Sequence, residues 1–408
     1  MSHHIQIHCN IYLKELQGFY RKKLFKENKM SLDFLRRCWA EIDLDALDGN
    51  IKTIRAWCPD KEMIGVVKAN AYGHSDILCG EEMYRMGIRR FAVSNINEAR
   101  RLRQIIGDNG CFLLVFGYIR EENLDEISEL NVIVSLGSVE FAERLSEFAK
   151  RKKVKIQAHI AFDTGMSRVG IRTREEADRI IALPNIEVTG MYTHFAVADE
   201  LDNDNREFTL KQYDRFMELS RGYDLPVHCQ NSGGVCFYPE IKSDYIRPGI
   251  MPYGLYPNPN VKQAVELKQV MTLKSVIDQL KVIPKGTDIS YGRTYTSDKE
   301  QIIAVVPVGY ADGYSRSLSN KGIVAVNGVL CPVRGRICMD QMMIDVTEAG
   351  AKIGDEVILY SGDYRETSVD YVAELLGTIN YEVVCDVSAR VPKVAVRNGE
   401  VVGVANER

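Results

Sequence analysis

The chain of 408 residues carries 52 Lys and Arg against 56 Asp and Glu, a formal net charge of −4, with 45% apolar and 26% charged residues. That length and balance suit a globular protein of two domains and give no reason to expect nucleic acid or an anionic membrane as partner. No apolar run approaches the roughly 20 residues of a membrane span, and ten cysteines without a C-x-x-C pair read as reduced, buried thiols of a cytoplasmic protein with no metal site.

Residues 1–37 differ from the remainder of the chain. They hold three of the seven histidines, His3, His4 and His8, and a basic run at Arg21, Lys22 and Lys23, without the apolar core and cleavage site of a secretory signal. We expect a poorly ordered extension or an over-called start with Met30 as the initiator; native protein that begins at Met1 removes the second reading. From Trp39 the pattern turns regular. Trp39-Ala40-Glu41-Ile42-Asp43-Leu44 alternates as a strand does, and Leu47, Ile51 and Ile54 recur at helical spacing. Apolar strand patterns come next at 63–67, 91–93, 112–116, 132–135, 155–162, 188–193, 226–230 and 245–246, separated by helical patterns at 77–86, 96–106, 139–148, 175–182 and 208–219. Eight short, near-continuously apolar strands alternating with helices predict an α/β fold, a parallel (β/α)8 TIM barrel over residues 38–267, rather than an open sheet.

The character changes near Lys268. Strand patterns at 270–282, 301–308, 322–326, 329–333, 342–346 and 356–360 are joined by tight turns, and Asn327-Gly328 between two apolar runs is a hairpin signal. One helical pattern, Val369–Leu376, interrupts them. A second, mainly antiparallel β domain is expected over 268–408.

In a parallel barrel the chemistry gathers at the C-terminal ends of the strands. The first strand runs into Val66-Val67-Lys68-Ala69-Asn70-Ala71-Tyr72-Gly73-His74. A lone lysine at such a mouth is usually just solvated; the alternative is a partly desolvated amine, fit to form an imine or carry a proton. The fifth strand leads into Asp163-Thr164-Gly165-Met166-Ser167-Arg168-Val169-Gly170, and the sixth ends in Thr193-His194-Phe195. The seventh ends in Asn231-Ser232-Gly233-Gly234 and the eighth in Arg247-Pro248-Gly249-Ile250. The last two have the makings of an anion cradle: a hydroxyl, glycines that let backbone N–H groups approach, and a helix start. Singly, each is also an ordinary turn, and His194 also reads as a hydrogen-bonded core histidine. Together, a lysine beside a phosphate cradle suggests pyridoxal 5′-phosphate (PLP), with a sugar-phosphate aldolase as the competing barrel.

The wording of the motifs decides between them. The stretch from Val66 to His74 closely resembles the PLP-lysine signature of bacterial alanine racemases. The resemblance runs from Trp39 to near Val396 and includes Asp163-Thr164-Gly165-Met166-Ser167-Arg168, Ser290-Tyr291-Gly292, Gly309-Tyr310-Ala311-Asp312-Gly313, Gly335-Arg336-Ile337-Cys338-Met339-Asp340 and Ile379-Asn380-Tyr381-Glu382-Val383, in that family's order. It implies a PLP-binding barrel followed by a β domain, and an isomerase that interconverts L- and D-alanine, supplying D-alanine for peptidoglycan. By the resemblance, Lys68 forms the internal aldimine with PLP and exchanges the Cα proton on the D-alanine side, with Tyr291 as the opposing acid/base on the L side. Tyr72, Ser232, Tyr381 and the amides of Gly249 and Ile250 hold the cofactor phosphate, with Asn231 beside them. Arg247 faces the pyridine nitrogen, and His194 continues a chain toward Tyr291. Arg168 and the backbone of Met339 receive the substrate carboxylate. The family's arrangement also implies a homodimer in which Tyr291 and Met339 cross the interface.

Racemisation needs proton exchange on two faces, which two different groups can serve. An unperturbed tyrosine near pKa 10 is a poor base at neutral pH, so cationic Arg247 and His194 nearby are expected to lower it. The chain departs from the pattern at Ala161, where many relatives carry a carbamylated lysine that orients the carboxylate-binding arginine; another group, a water or a bound anion such as chloride, is expected to orient Arg168. Asn231-Ser232-Gly233 also replaces the usual Asn-Ser-Ala. The alternatives are a serine/alanine racemase of the vancomycin-resistance type and a non-catalytic PLP-binding barrel. Tyr381, expected to crowd the substrate side chain, favours alanine, and Tyr291 and Met339 in a second domain argue against the simple barrel.

Overall fold

The computed structural model describes residues 37–108, 110–259 and 265–405. The expectations for residues 1–36, including Met30 as a start, lie outside the described residues. The chain forms two compact units, one of Asp43–Met271 with Ser361–Val387, the other of Thr272–Tyr360 and Ser388–Arg408 with the segment that ends at Ile42.

In the first unit eight parallel strands close a barrel: Glu62–Val66, Arg90–Val93, Phe112–Val115, Ile133–Leu136, Ile156–Ala161, Ile186–Tyr192, Val227–His228 and Tyr245–Ile246. The eighth returns to the first, pairing Tyr245 with Glu62 and Ile246 with Met63. Each of the eight barrel strand patterns read from the sequence lies on one of these eight. Their apolar continuity follows from double burial, with side chains inward to the barrel and outward to the helices. Ile64, Ala92, Leu114 and Ile133, one from each of the first four strands, form a single buried cluster.

The helices between strands bury one stripe each. Ile96–Ile106 buries Ile96, Ala99, Leu102 and Ile106, spaced three or four apart, as an amphipathic helix requires. Side-chain caps fix where these helices begin. Asn95 accepts from the Glu98 amide, Ser138 from that of Phe141, and Thr173 with Glu176 forms a reciprocal capping box. The starts matter because the strand ends they abut carry the functional groups.

The second unit is built on a seven-stranded sheet in the order Val329–Pro332, Ile323–Val326, Glu356–Tyr360, Met271–Val276, Cys38–Asp43, Lys393–Arg397, Glu400–Ala405. A three-stranded antiparallel sheet, Gln279–Ile283, Gln301–Val306 and Met342–Asp345, accompanies it. Asn327-Gly328 does turn a hairpin, with Val326 paired to Val329 and φ of 51° and 79° at the two turn residues.

Compactness groups the chain differently from a single division at 267/268, in two places. The strand Cys38–Asp43, expected with the barrel, lies inside the antiparallel sheet; Trp39 packs with Val276 and Val394 in one buried cluster. Conversely, the helices Val369–Leu376 and Asn380–Cys385 belong with the barrel unit. The second packs on the turn after Lys68, where a Cβ added at Gly73 would stand 2.0 Å from the Val384 carbonyl oxygen.

Candidate active site

At the C-terminal mouth of the barrel a cavity of about 410 Å³ is lined by residues from the strand ends and the loops after them, among them Lys68, Tyr72, Arg168, His194, Asn231, Ser232, Arg247 and Gly249, and by Tyr381 from the helix Asn380–Cys385. Nine residues named from the sequence thus meet in one place.

Lys68 begins an unusual turn. Ala69, Asn70, Ala71 and Tyr72 all have φ between 51° and 56°, a left-handed turn closed by bonds from the Ala71 amide to the Val67 carbonyl (2.9 Å) and from Gly73 to Ala69 (3.0 Å). Left-handed helical geometry costs about 1–2 kcal/mol per L-residue, so neighbours must hold it. The Asn70 side chain accepts from the Asp76 amide at 2.9 Å, the His74 ring Nδ1–H donates to the Tyr72 carbonyl at 2.8 Å, and Glu98 accepts from the Ala69 amide at 3.0 Å. Held strain of this kind clusters at functional sites. It sets the Lys68 amine 5.8 Å from the centre of the Tyr72 ring. Burial, then neighbouring Arg168, lowers the Lys68 pKa, while Glu98 works against both.

The cradle is built from the ends of the seventh and eighth barrel strands. Ser232 Oγ accepts from the amides of Gly249 (2.8 Å) and Ile250 (3.1 Å), and Tyr381 hydrogen-bonds the same hydroxyl. Asn231 caps the helix Ser232–Phe237 by accepting from the Gly234 amide and donates to the Phe195 carbonyl, so the helix start is rigid. The Tyr72 hydroxyl occupies the space of a Cβ at Gly249, 2.3 Å from where that atom would be; only glycine permits this approach. Burial raises the phenol pKa of both Tyr72 and Tyr381, so both are O–H donors at neutral pH. Two amides, a serine hydroxyl and two phenols are the donor set that a phosphate requires.

Arg247 is buried and pointed by its acceptors. One amino group meets His228 Nδ1 at 2.6 Å, and the other donates to the Thr193 carbonyl at 2.8 Å and approaches His194 Nδ1 at 3.5 Å. A guanidinium only donates, so His228 Nδ1 accepts and carries its proton on Nε2, which donates to His159 Nδ1 at 2.9 Å. Burial pushes the Arg247 pKa down to about 10, leaving it cationic at neutral pH. Burial, then Arg247, Arg168 and Lys68, pushes His194 down to about 3. The expectation of a cationic His194 is corrected: it is buried among groups that are already positive, so the ring is neutral and, of the pair, Arg247 carries the charge.

Arg168 sits exposed on the loop after the fifth strand and makes no side-chain hydrogen bond or ion pair among the described residues. Its position is set by Asp163, whose carboxylate accepts from the Gly165 and Ser167 amides at 3.2 and 2.9 Å and from Arg172 at 2.7 and 3.0 Å. Burial would raise the Asp163 pKa, but these donors hold it below the usual carboxylate range. Ala161 is buried at the end of the strand and offers nothing to Arg168. Tyr291 and Met339 belong to the other unit. Tyr291 comes directly after a left-handed Ser290 and is 68% exposed; Met339 is 53% exposed, its carbonyl accepting from the Ala311 amide at 3.1 Å. Sequence reasoning missed Glu98, Asp163 and Arg172 as a clamp, and the pair His228 and His159. Glu98 and Arg172 sit in charged helix and loop stretches of the sequence, where nothing in the pattern separates them from solvated neighbours. His228, inside an apolar strand, did carry a signal.

Comparison with known proteins also divides the chain in two, at a single boundary in the sequence. Residues 42–257 match the family model for the alanine racemase N-terminal domain and residues 270–395 that for the alanine racemase C-terminal domain. The alanine racemase of Clostridium novyi (strain NT) is 41% identical over 384 residues, covering 91% of this chain and 98% of that protein. Among solved structures, the alanine racemase of Clostridium difficile 630 superposes with a TM-score of 0.85 at 34% identity, over 91% of this chain and 98% of that one. The Bartonella henselae alanine racemase with covalently bound pyridoxal phosphate gives 0.78 at 28% identity, over 88% and 99%.

Proposed function

The chain belongs to the alanine racemase family, and from that premise we propose that it interconverts L- and D-alanine by moving the Cα proton between Lys68 on one face and Tyr291 on the other. It is a PLP-dependent racemase. The observation that carries the reading of the residues is the meeting, in one barrel-mouth cavity, of a desolvated lysine, a phosphate donor set and a fixed arginine.

Ser232, the amides of Gly249 and Ile250, Tyr72 and Tyr381 would hold the phosphate, and Lys68 would hold the cofactor covalently. Bound there, PLP supplies a conjugated system that takes up the electron pair left on Cα. Arg247, cationic and unable to accept a hydrogen bond, would leave the pyridine nitrogen without a proton of its own, which limits that electron sink and disfavours side reactions such as transamination. Arg168 and the Met339 amide would bind the substrate carboxylate and so fix which faces of Cα meet the two bases. A lowered pKa brings the Lys68 amine closer to giving and taking a proton than an ordinary lysine is. Tyr291 needs a cation near it to act as a base. Neutral His194 passes a hydrogen bond and not a charge, which leaves that work to Arg247. We further propose a homodimer in which Tyr291 and Met339 act across the interface, residence in the cytoplasm, and a role in supplying D-alanine for peptidoglycan. Among the described residues no helix is long and apolar enough to cross a membrane.

Borohydride reduction followed by peptide mapping tests the assignment: the cofactor is expected on Lys68, and a label elsewhere overturns it. Turnover of L-alanine against L-serine tests the substrate, and a preference for serine overturns that part.

A further inference from the structure

We propose that Glu98 is a positioning residue for Lys68: its buried carboxylate clamps the left-handed turn behind the lysine to the end of the second barrel strand and sets a negative charge near the amine. The proposal rests on the reading of Lys68 as the cofactor lysine.

Glu98 lies in the first turn of the helix Ile96–Ile106 and is 6% exposed. A glutamate there commonly folds back onto its own cap. This one instead divides its oxygens between two strand ends. Oε1 accepts from the Ala69 amide at 3.0 Å, the first peptide N–H after Lys68. Oε2 accepts from the Ser94 amide at 2.7 Å and the Ser94 hydroxyl at 2.9 Å. Among the described residues Glu98 has no ion-pair partner within salt-bridge distance, although a buried carboxylate without one is costly. Three hydrogen bonds satisfy it, and its charge is left to act on the amine nearby.

The geometry explains why the clamp is needed there. Ala69 is the first residue of the left-handed turn, with φ 51° and ψ 47°, and a turn of that hand relaxes unless its entry is fixed. Asn70 and His74 hold its middle and far end from within the same segment. Glu98 fixes its entry from the neighbouring strand connection. Lys68 and Ser94 both line the cavity, and the carboxylate ties together the two segments that carry them. The other groups that act on the amine are Arg168 and Arg247, which are positive, and Cys385; the Tyr72 ring and neutral His194 also stand close to it. Glu98 is thus the carboxylate that opposes the two arginines at the lysine.

The test uses holoenzyme and three variants, with two readouts other than turnover. The first is the pH titration of the Lys68-linked nitrogen, followed by cofactor absorbance. The second is solvent-deuterium incorporation into alanine, which compares exchange on the Lys68 face with exchange on the Tyr291 face. Glu98→Gln retains an acceptor for Ala69 but loses the charge, so the titration midpoint is expected to fall by about half a pH unit or more. Glu98→Asp keeps the charge on a shorter arm; the midpoint should stay near the parent's while exchange on the Lys68 face falls about tenfold relative to the other face, as misplacement of a reacting group predicts. Ser94→Ala removes one donor from the clamp without touching the carboxylate and should shift the exchange ratio in the same direction, by less. Should Glu98→Gln not fold, Glu98→Asp and Ser94→Ala carry the test through the exchange ratio. A parent-like midpoint in Glu98→Gln together with parent-like exchange ratios in Glu98→Asp and Ser94→Ala overturns the proposal. If borohydride mapping of the parent places the cofactor away from Lys68, the reading of the lysine fails and this proposal with it; mapping to Lys68 with unchanged variants removes this proposal alone.

Discussion

Gly249→Ala isolates the cofactor cradle in a single methyl group. Gly249 does not lie in the left-handed region, so the substitution carries no backbone strain, and its effect is purely steric. The added Cβ would stand 2.3 Å from the Tyr72 hydroxyl oxygen and 3.1 Å from the ring carbon that bears it. Both distances are inside van der Waals contact, and Tyr72 cannot swing freely because its ring packs 5.4 Å from that of Tyr253 and 6.0 Å from that of Tyr381. Overpacking of this kind costs about 1–3 kcal/mol. Since the strain falls on two members of the phosphate donor set, most of it should appear in PLP affinity, weakening it about 5- to 150-fold. Apoprotein titrated with PLP and followed by absorbance gives the dissociation constant directly. The double variant Tyr72→Phe/Gly249→Ala sharpens the test. Removing the hydroxyl removes the shorter clash, so the two changes should couple, with the double variant binding PLP better than the sum of the single losses predicts. Affinity within about twofold of the parent for Gly249→Ala, or strict additivity in the double variant, would refute the steric account of the cradle.

Other perturbations reach the rest of the site. Tyr291→Phe should leave the cofactor spectrum intact while abolishing deuterium incorporation on one face of Cα; equal loss on both faces would show that tyrosine is not one of two separate bases. Gly73→Ala sets a Cβ 2.0 Å from the Val384 carbonyl at a φ of 80°, so clash and strain add. A loss of about 3 kcal/mol or more is expected, read as a thermal midpoint lower by several degrees, and an unshifted midpoint counts against the packing described for that turn. Asp163 has a depressed folded-state pKa, so its contribution to stability is present above its unfolded pKa of about 3.9 and is lost as pH falls through the folded value. The parent should therefore exceed Asp163→Asn in stability at neutral pH and lose that advantage on acidification below about pH 4; denaturation midpoints that differ equally at every pH would contradict the sign.

What the sequence made legible, and what it did not, divides along physical lines. The eight barrel strands were legible because strands buried on both faces are written as unbroken apolar runs. Lys68, Ser232, Gly249 and Arg247 were legible because barrel chemistry collects where those runs stop. The hairpin at Asn327-Gly328 was legible from its turn residues, yet Asn398-Gly399, which joins Lys393–Arg397 to Glu400–Ala405 in the same way, was passed over. Its second strand exposes Val401 and Val402 and so lacks the apolar continuity that drew attention elsewhere. The strand Cys38–Asp43 was read correctly as a strand but grouped by its place in the chain, because periodicity reports which face of a strand is buried and not which partners it pairs with. His194 was located correctly and given the wrong charge: its ionisation depends on desolvation and on three nearby cations contributed by distant segments.

The loop that carries Arg168 shows why the departure at Ala161 need not cost the site its arginine. A side-chain partner would orient the guanidinium directly. Here the main chain is fixed instead: Phe162 and Ile171 bridge across the base of the loop, the Ile171 amide donates to the Ala161 carbonyl at 2.9 Å, and the Asp163 carboxylate pins the Ser167 amide one residue before Arg168. Ser167 is left-handed at φ 56°, a conformation that persists only under such constraint. Fixing the Cα of Arg168 confines the reach of its side chain but leaves the guanidinium donors unspent. An arginine partnered by a protein carboxylate would have to exchange that partner for the substrate carboxylate, and the net gain on binding would be small. An arginine placed by its backbone keeps its charge-assisted bonds for the ligand. The same availability exposes it to any small anion in solution, so that anions should compete with alanine at this residue. Clamping from behind is also what Glu98 does at Lys68, so that at both residues a buried carboxylate fixes a backbone amide next to the reactive side chain.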